Sequence, residues 1–157
     1  MRARSGKFAL DTNVIINGLR DPDGGVALEL FHAEFAPFVY LSAVVAHELR
    51  AGARAGDAKR VERNLFAPFE RRGRVFFPTY AAWSRAGDVL RELRELRELR
   101  DPDSMPAVSR SFGNDVLIAL SCREAGVTLV TSNTRDFARI AAVTPVDFVE
   151  PWPSARR

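Results

Sequence analysis

One cysteine in 157 residues leaves Cys122 without a partner for an internal disulfide and removes any cysteine-rich zinc site, which suits a reducing compartment. Its apolar neighbours Ile118, Ala119 and Leu120 read as helix, so a packed thiol is expected rather than a nucleophile. Lysine is nearly missing too. Lys7 and Lys59 are the only ones, and the rest of the 23 basic residues are arginine. Histidine is confined to His32 and His47, whose separation matches no metal-ligand spacing, so structural or surface placement is expected of both rather than a metal or acid–base role. Long apolar runs are also missing. The longest, residues 36–46, holds Pro37 and Ser42 and is too short to cross a bilayer. Residues 1–7 are polar and basic and lack the apolar stretch of a secretory signal, so no membrane association and a soluble, cytoplasmic protein are expected.

A net charge of +3 and a pI near 9.6 are present instead, carried almost wholly by arginine. The planar guanidinium suits phosphate, so a polyanionic partner is consistent with the balance, although +3 alone selects none. With 46% hydrophobic residues the chain suffices for one compact domain, its core spanning about residues 8–148 between short tails.

The hydrophobic pattern alternates between short buried strands and helices. Strands are expected at residues 8–10, 38–41, 74–77, 127–131 and 146–149. Helical spacing begins at Val14 and Ile15 and recurs at residues 26–34, behind Ser42 as an N-cap, at 57–69 with Pro68 marking the end, at 79–100, at 113–125 closed by Gly126, and at 136–142. Residues 21–25 and 101–111 read as loops. Trp83 and Trp152 read as packing residues. This order predicts an α/β fold, a three-layer α/β/α sandwich around a mainly parallel sheet. Near residue 100 the triplet Arg-Glu-Leu occurs three times. Leucine every third residue drifts about 60° per step around a helix, so Leu90, Leu93, Leu96 and Leu99 cannot share a coiled-coil seam. A solvated face is expected, with pairs such as Arg91 and Glu95 contributing at most about 0.2–0.5 kcal/mol.

Four acidic residues sit at element ends or on helices that lead to one edge of such a sheet: Asp11 after the first strand, Glu48 after the second, Asp115 near a helix start, and Asp136 after the strand at 127–131. Parallel sheets bind ligands outside the carboxyl ends of their strands. Each residue has an ordinary reading beside the chemical one. Asp11-Thr12-Asn13 and Asp136 serve equally as turn and cap formers, Glu48 as a surface helix residue, and Asp115 as a partner of the helix dipole. Should the four converge, however, their mutual repulsion demands a hard divalent cation, and metal-assisted hydrolysis becomes the expected chemistry.

Taken together, Leu10-Asp11-Thr12-Asn13-Val14-Ile15, His47-Glu48-Leu49, Gly113-Asn114-Asp115 and the run Thr131-Ser132-Asn133-Thr134-Arg135-Asp136-Phe137 resemble the PIN-domain family, and within it the VapC-like toxins of bacterial toxin–antitoxin pairs. The resemblance covers roughly residues 8–148. It implies a Mg²⁺- or Mn²⁺-dependent ribonuclease whose catalytic and metal-binding quartet is Asp11, Glu48, Asp115 and Asp136, with Asn13, Thr131 and Asn133 as supporting polar residues. A homodimer is implied, as is a small antitoxin whose tail wraps the toxin and blocks the acidic pocket with a basic side chain. Val61, Leu65, Phe66 and Phe69 are candidates for its apolar groove, with core packing as their other use. Arg50, Arg54 and Arg135 are candidates for RNA backbone contact.

Two other classes compete. A phosphatase or phosphate-receiving domain would place a nucleophilic aspartate after a strand, but the haloacid-dehalogenase pattern wants a second aspartate where Asn13 stands, and no lysine follows Lys59. The alternative outside the enzymes is a catalytically inactive PIN-like module that binds RNA or a partner. Against it, four clustered carboxylates repel a phosphate backbone unless a cation bridges them.

Overall fold

The computed structural model describes residues 6–20, 22–100 and 108–152. Five parallel strands form the sheet: β1 (Phe8–Leu10), β2 (Val39–Ser42), β3 (Val75–Phe76), β4 (Thr128–Val130) and β5 (Phe148–Val149), in the order β3-β2-β1-β4-β5. The two central sequences Phe-Ala-Leu and Thr-Leu-Val are buried along their whole length, as befits strands covered on both faces, whereas the edge pairs Val-Phe and Phe-Val are only half-buried. The chain runs outward from β1 to β3, then returns across the sheet to start β4 on the other side of β1. With this strand order, the right-handed crossovers that parallel strands take as a rule place the helices of the two halves on opposite faces, the expected α/β/α layering.

Between β1 and β2 lie α1 (Thr12–Arg20) and α2 (Pro22–Phe35). The expected loop at 21–25 is a correction: apart from Asp21, which is outside the described residues, it is the first turn of α2. Proline at the first helical position loses only an N–H that has no intrahelical partner, so Pro22 starts this helix rather than preventing it. The two helices pack closely at Gly18, where a Cβ would come within 2.6 Å of Leu28 Cδ2.

From β2 the chain enters α3 (Ala43–Gly52), capped as expected by Ser42, whose hydroxyl accepts from the Val44 amide at 3.3 Å. Next come α4 (Ala55–Val61), one π-turn (Glu62–Phe66) and α5 (Ala67–Arg71). Pro68 therefore does not end the helix, contrary to expectation. The widened turn ahead of it makes α5 a new helix start, and Pro68 lies in that first turn, where its missing N–H costs nothing.

The long helix α6 (Tyr80–Leu99) is capped by Thr79, which accepts from the Ala82 amide. Its leucines drift as expected, Leu93 buried, Leu96 and Leu99 exposed, and Arg91 pairs with Glu95 at 3.3 Å on the solvated face. Trp83 departs from expectation in being 58% exposed, while Trp152 does pack, 5.4 Å from the Phe31 ring. Of the expected loop at 101–111, residues 101–107 lie outside the described residues. Ser109 caps α7 (Arg110–Ala125), which thus begins three residues earlier than its apolar pattern suggests. Gly126 ends it at φ 63°, a left-handed conformation that glycine adopts without a Cβ penalty. The last helix, α8 (Thr134–Ala141), separates β4 from β5.

Candidate active site

β1 and β4 run side by side with Leu10 level with Val130, so the next residues, Asp11 and Thr131, emerge together at the carboxyl edge. Here the strand order reverses, and in open parallel sheets that crevice takes ligands. The Asp11 amide donates to Val130 O at 2.9 Å, which fixes the aspartate at the strand end.

Asp11 is 2% exposed and bonded through both carboxylate oxygens. The Thr12 amide donates to Oδ1 at 2.8 Å, and Oδ2 accepts from Thr131 Oγ1 at 2.6 Å and Asn13 Nδ2 at 2.9 Å. Burial raises its pKa, the three donors oppose that rise, and the Glu48 charge adds to it. Asn13 in turn accepts from the Ser132 amide at 3.2 Å, tying the turn after β4 to the turn after β1.

Glu48, on α3, is tethered at both oxygens: Thr12 Oγ1 donates to Oε2 and Asn114 Nδ2 to Oε1 at 2.9 Å. Asp115, in the second turn of α7, is too far from the helix start for the dipole to account for it. Asn133 Nδ2 reaches its Oδ2 at 3.4 Å and Asp136 Oδ2 at 3.1 Å, so one amide group joins two carboxylates. Asn133 makes no side-chain cap on α8, the duty its position would ordinarily give it. Burial, then the charges of Asp11, Glu48 and Asp136, push the Asp115 pKa up to about 7. The four acids therefore share one electrostatic neighbourhood, and Asn13, Thr131 and Asn133 lie among them.

Several participants were not singled out from the sequence. Thr12 and Asn114 hold Glu48 across 36 and 66 residues, and Arg139 donates to Asp136 Oδ1 at 3.1 Å. Arg139 also lies over the Phe112 ring, 4.6 Å from its centroid. Only the three-residue spacing of Asp136 and Arg139 on one helix was a sequence-level signal.

Among the arginines, Arg50 is bound elsewhere: it donates to Glu62 at 2.8 Å and Glu70 at 3.4 Å and stacks on buried Phe66. Arg54 and Arg135 are exposed. Both histidines are exposed and outside the cluster, and Cys122 is fully buried with its thiol pKa raised by burial.

The donor set is all oxygen, the choice of a hard cation. No three acidic, histidine or cysteine side chains among the described residues stand close enough to ligate one ion together. That arrangement still fits Mg²⁺ or Mn²⁺, since Mg²⁺ is commonly held by one or two carboxylates and retains several waters.

A separate cavity of about 580 Å³ lies between the α1–α2 hairpin and the α5 segment, lined by Ile15, Leu19, Leu28, Leu65 and Phe69 with Arg72 and Arg74 at its margin. None of the four acids lines it. Of the expected groove residues, Leu65 and Phe69 face this space, Phe66 is buried in the core, and Val61 packs against the core.

A parallel α/β sheet with carboxylates gathered at its switch point defines a class of site suited to phosphodiester chemistry. The PIN domain family profile matches residues 8–143, and the chain belongs to that family, whose members are generally nucleases. No curated protein matches. Among solved structures, the fold is similar to a chain of FitAB bound to the IR36 DNA fragment, with a TM-score of 0.64 and 21% identity over 95% of this chain and 98% of that one. It is also similar to a chain of DNA-bound VapBC from Salmonella typhimurium, at 0.63 and 23% over 92% and 97%. A third, from VapBC2 of Rickettsia felis bound to a promoter DNA fragment, gives 0.55 and 20% over 93% and 98%. Among the described residues no helix is long and apolar enough to cross a membrane.

Proposed function

We propose that this protein is a Mg²⁺- or Mn²⁺-dependent endoribonuclease and the toxin of a cytoplasmic toxin–antitoxin pair. The observation that carries the reading is the gathering of Asp11, Glu48, Asp115 and Asp136 from four separate elements around the switch point, where the other three charges press on Asp115. Such crowding is costly at neutral pH without a cation. When bound, the cation would neutralise charge on the scissile phosphate and acidify a water enough to attack at neutral pH.

The chain's own residues prepare this site. Thr131 and Asn13 hold Asp11 against the strand ends, Thr12 and Asn114 fix Glu48, and Asn133 sets Asp115 relative to Asp136. Arg54 and Arg135 are free to meet the RNA backbone.

FitAB and VapBC are the names of the similar structures, and a cognate antitoxin is assigned here as the partner by that likeness. Its apolar segment would occupy the cavity beside Leu65 and Phe69.

The test is RNA cleavage by Asp115→Asn. Mg²⁺-dependent cleavage should vanish while circular dichroism stays native, and unchanged cleavage would refute the assignment. A non-cleaving binding module gives a different result: its melting temperature does not respond to Mg²⁺ or Ca²⁺.

A further inference from the structure

We infer that Arg139 is a positioning residue of the carboxylate site: it holds Asp136 as an internal ion pair outside the cation's direct contacts, which are drawn from Asp11, Glu48 and Asp115, one or two of them direct and the rest through retained waters. The inference rests on the metal-dependent reading above and divides its four acids into three of one kind and one of another.

The division follows from what each acid is bonded to. Asp11 and Glu48 accept only from hydroxyl, amide and backbone N–H groups. Such neutral donors fix a carboxylate in place and leave its full negative charge available to a cation. Asp115 has a single long bond from an amide nitrogen. Asp136 alone pairs with a cation among the described residues, Arg139 at 3.1 Å. That pair is partly buried, its side chains 13% and 29% exposed, where water screens it less than at the open surface. A dication drawn to Asp136 would meet a guanidinium already on its Oδ1.

Arg139 is also held in a way that does not depend on the acids. Its guanidinium lies over Phe112, a 3% exposed ring on the first turn of α7. Three residues on from Phe112 is Asp115. A continuous line of contacts thus runs from Phe112 to Arg139, to Asp136, to the Asn133 amide and on to Asp115 Oδ2. Asp136 acts at second hand, by orienting Asn133 against Asp115, which has no other side-chain anchor among the described residues.

The experiment titrates Mn²⁺ into the full-length protein, read by electron paramagnetic resonance and by the shift in melting temperature, for the parent chain, Asp136→Asn, Asp115→Asn, Arg139→Gln and Arg139→Lys. Asp136→Asn should keep saturable Mn²⁺ binding, weakened by about 10–100-fold as for an outer partner, while Asp115→Asn loses it. Arg139→Gln should bind Mn²⁺ more tightly, by about three- to tenfold, because a positive charge leaves the site and a carboxylate is released. It should also lower kcat through the loosened Asn133–Asp115 contact. Arg139→Lys should return both values toward the parent. A merely structural arginine would weaken binding or leave it unchanged on removal, so the sign of the change is decisive.

Loss of Mn²⁺ binding in Asp136→Asn equal to that in Asp115→Asn would overturn the proposal, as would weaker binding in a folded Arg139→Gln. Asp136→Asn decides alone if Arg139→Gln does not fold. Failure of the underlying metal reading looks different: no variant, nor the parent, then binds Mn²⁺ saturably.

Discussion

The carboxylate pocket between β1 and β4 and the apolar cavity between the α1–α2 hairpin and α5 rest on the same parallel sheet, yet they are held in opposite ways. Around Asp11, Glu48 and Asp136 each carboxylate oxygen meets a named donor, and the positions are fixed to the scale of one hydrogen bond. The side chains of Leu19, Leu28, Leu65 and Phe69 offer no directional group, and these walls stand where helix packing leaves them, with hydrogen bonds confined to the margin, where Arg72 donates to Pro68 O and Arg74 to Ala36 O. Changes of charge should therefore be felt sharply in the first region, and changes of volume weakly in the second. Preorganised polar sites lose function when one group moves, whereas half-exposed apolar surfaces lose only area.

The largest effect expected from this contrast is on turnover. Asp115→Asn removes the acid with the fewest bonds and the strongest pressure from its neighbours. Mg²⁺-dependent RNA cleavage should fall by about three orders of magnitude or more, measured as kcat on a labelled RNA, if metal-assisted chemistry is at work. Loss of less than tenfold would place the chemistry elsewhere.

Stability should move the other way in the same variant. Asp115 titrates near 7 in the folded protein against an ordinary 3.8, so the folded state holds its proton more tightly than the unfolded chain. Such a raised carboxyl contributes stability that is complete below about pH 4 and is lost as pH rises through about 7. On the order of 4 kcal/mol is at stake if the whole shift is realised, and less where solvent screens the partly exposed group. Without metal, the parent protein should melt at a higher temperature at pH 5 than at pH 8, and Mg²⁺ at pH 8 should restore part of the difference. Asp115→Asn should flatten the profile and melt higher than the parent at pH 8. A parent profile that rises from pH 5 to pH 8 would contradict the crowded site.

In the apolar cavity the effects shrink. Phe69→Ala removes a half-buried ring from the wall and should cost about 1–2 kcal/mol by urea denaturation, less than a fully buried phenylalanine, with RNA cleavage unchanged. Its larger consequence should be weaker binding of the cognate antitoxin in calorimetry. Equal antitoxin affinity for parent and variant would remove this cavity from the partner's footprint.

The two regions also differed in how far the sequence disclosed them. Asp11 and Asp136 follow strands whose apolar triplets are unmistakable, so their arrival at one sheet edge could be read from order alone. Asp115 was legible as a residue but misplaced by a turn, because the pattern of apolar residues in α7 starts after the Ser109 cap that opens it. The roles of Thr12 and Asn114 could not be read, since a hydroxyl or amide gives no hint of a partner 36 or 66 residues away, and for Arg139 the three-residue spacing from Asp136 was the one signal. The cavity was half legible. Leu65 and Phe66 are neighbours with the same apolar character, yet the π-turn directs Leu65 to the cavity and Phe66 to the core, a choice that helical periodicity does not contain. At α2, Asp-Pro-Asp-Gly-Gly carries strong loop chemistry, but the packing of the α1–α2 hairpin outweighs it.

The smallest effect concerns the arginines, and it tests whether the polar region extends to the surface around it. Arg135 is exposed and adjoins Asp136 in sequence, whereas Arg50, two residues from Glu48, is committed to Glu62, Glu70 and the Phe66 ring. A phosphate contact by Arg135 would contribute through counterion release and would not touch the chemical step. Arg135→Ala should raise KM for RNA by about two- to fivefold, leave kcat alone, and reduce the salt dependence of KM by roughly one unit of slope. Arg50→Ala should instead lower the melting temperature slightly and leave KM and its salt slope unchanged, because its charge is already answered within the protein. If Arg50→Ala changes the salt slope and Arg135→Ala does not, the RNA path runs over α3 and α5 rather than over the start of α8, and the boundary drawn here between a reacting edge and a packing face has to be moved.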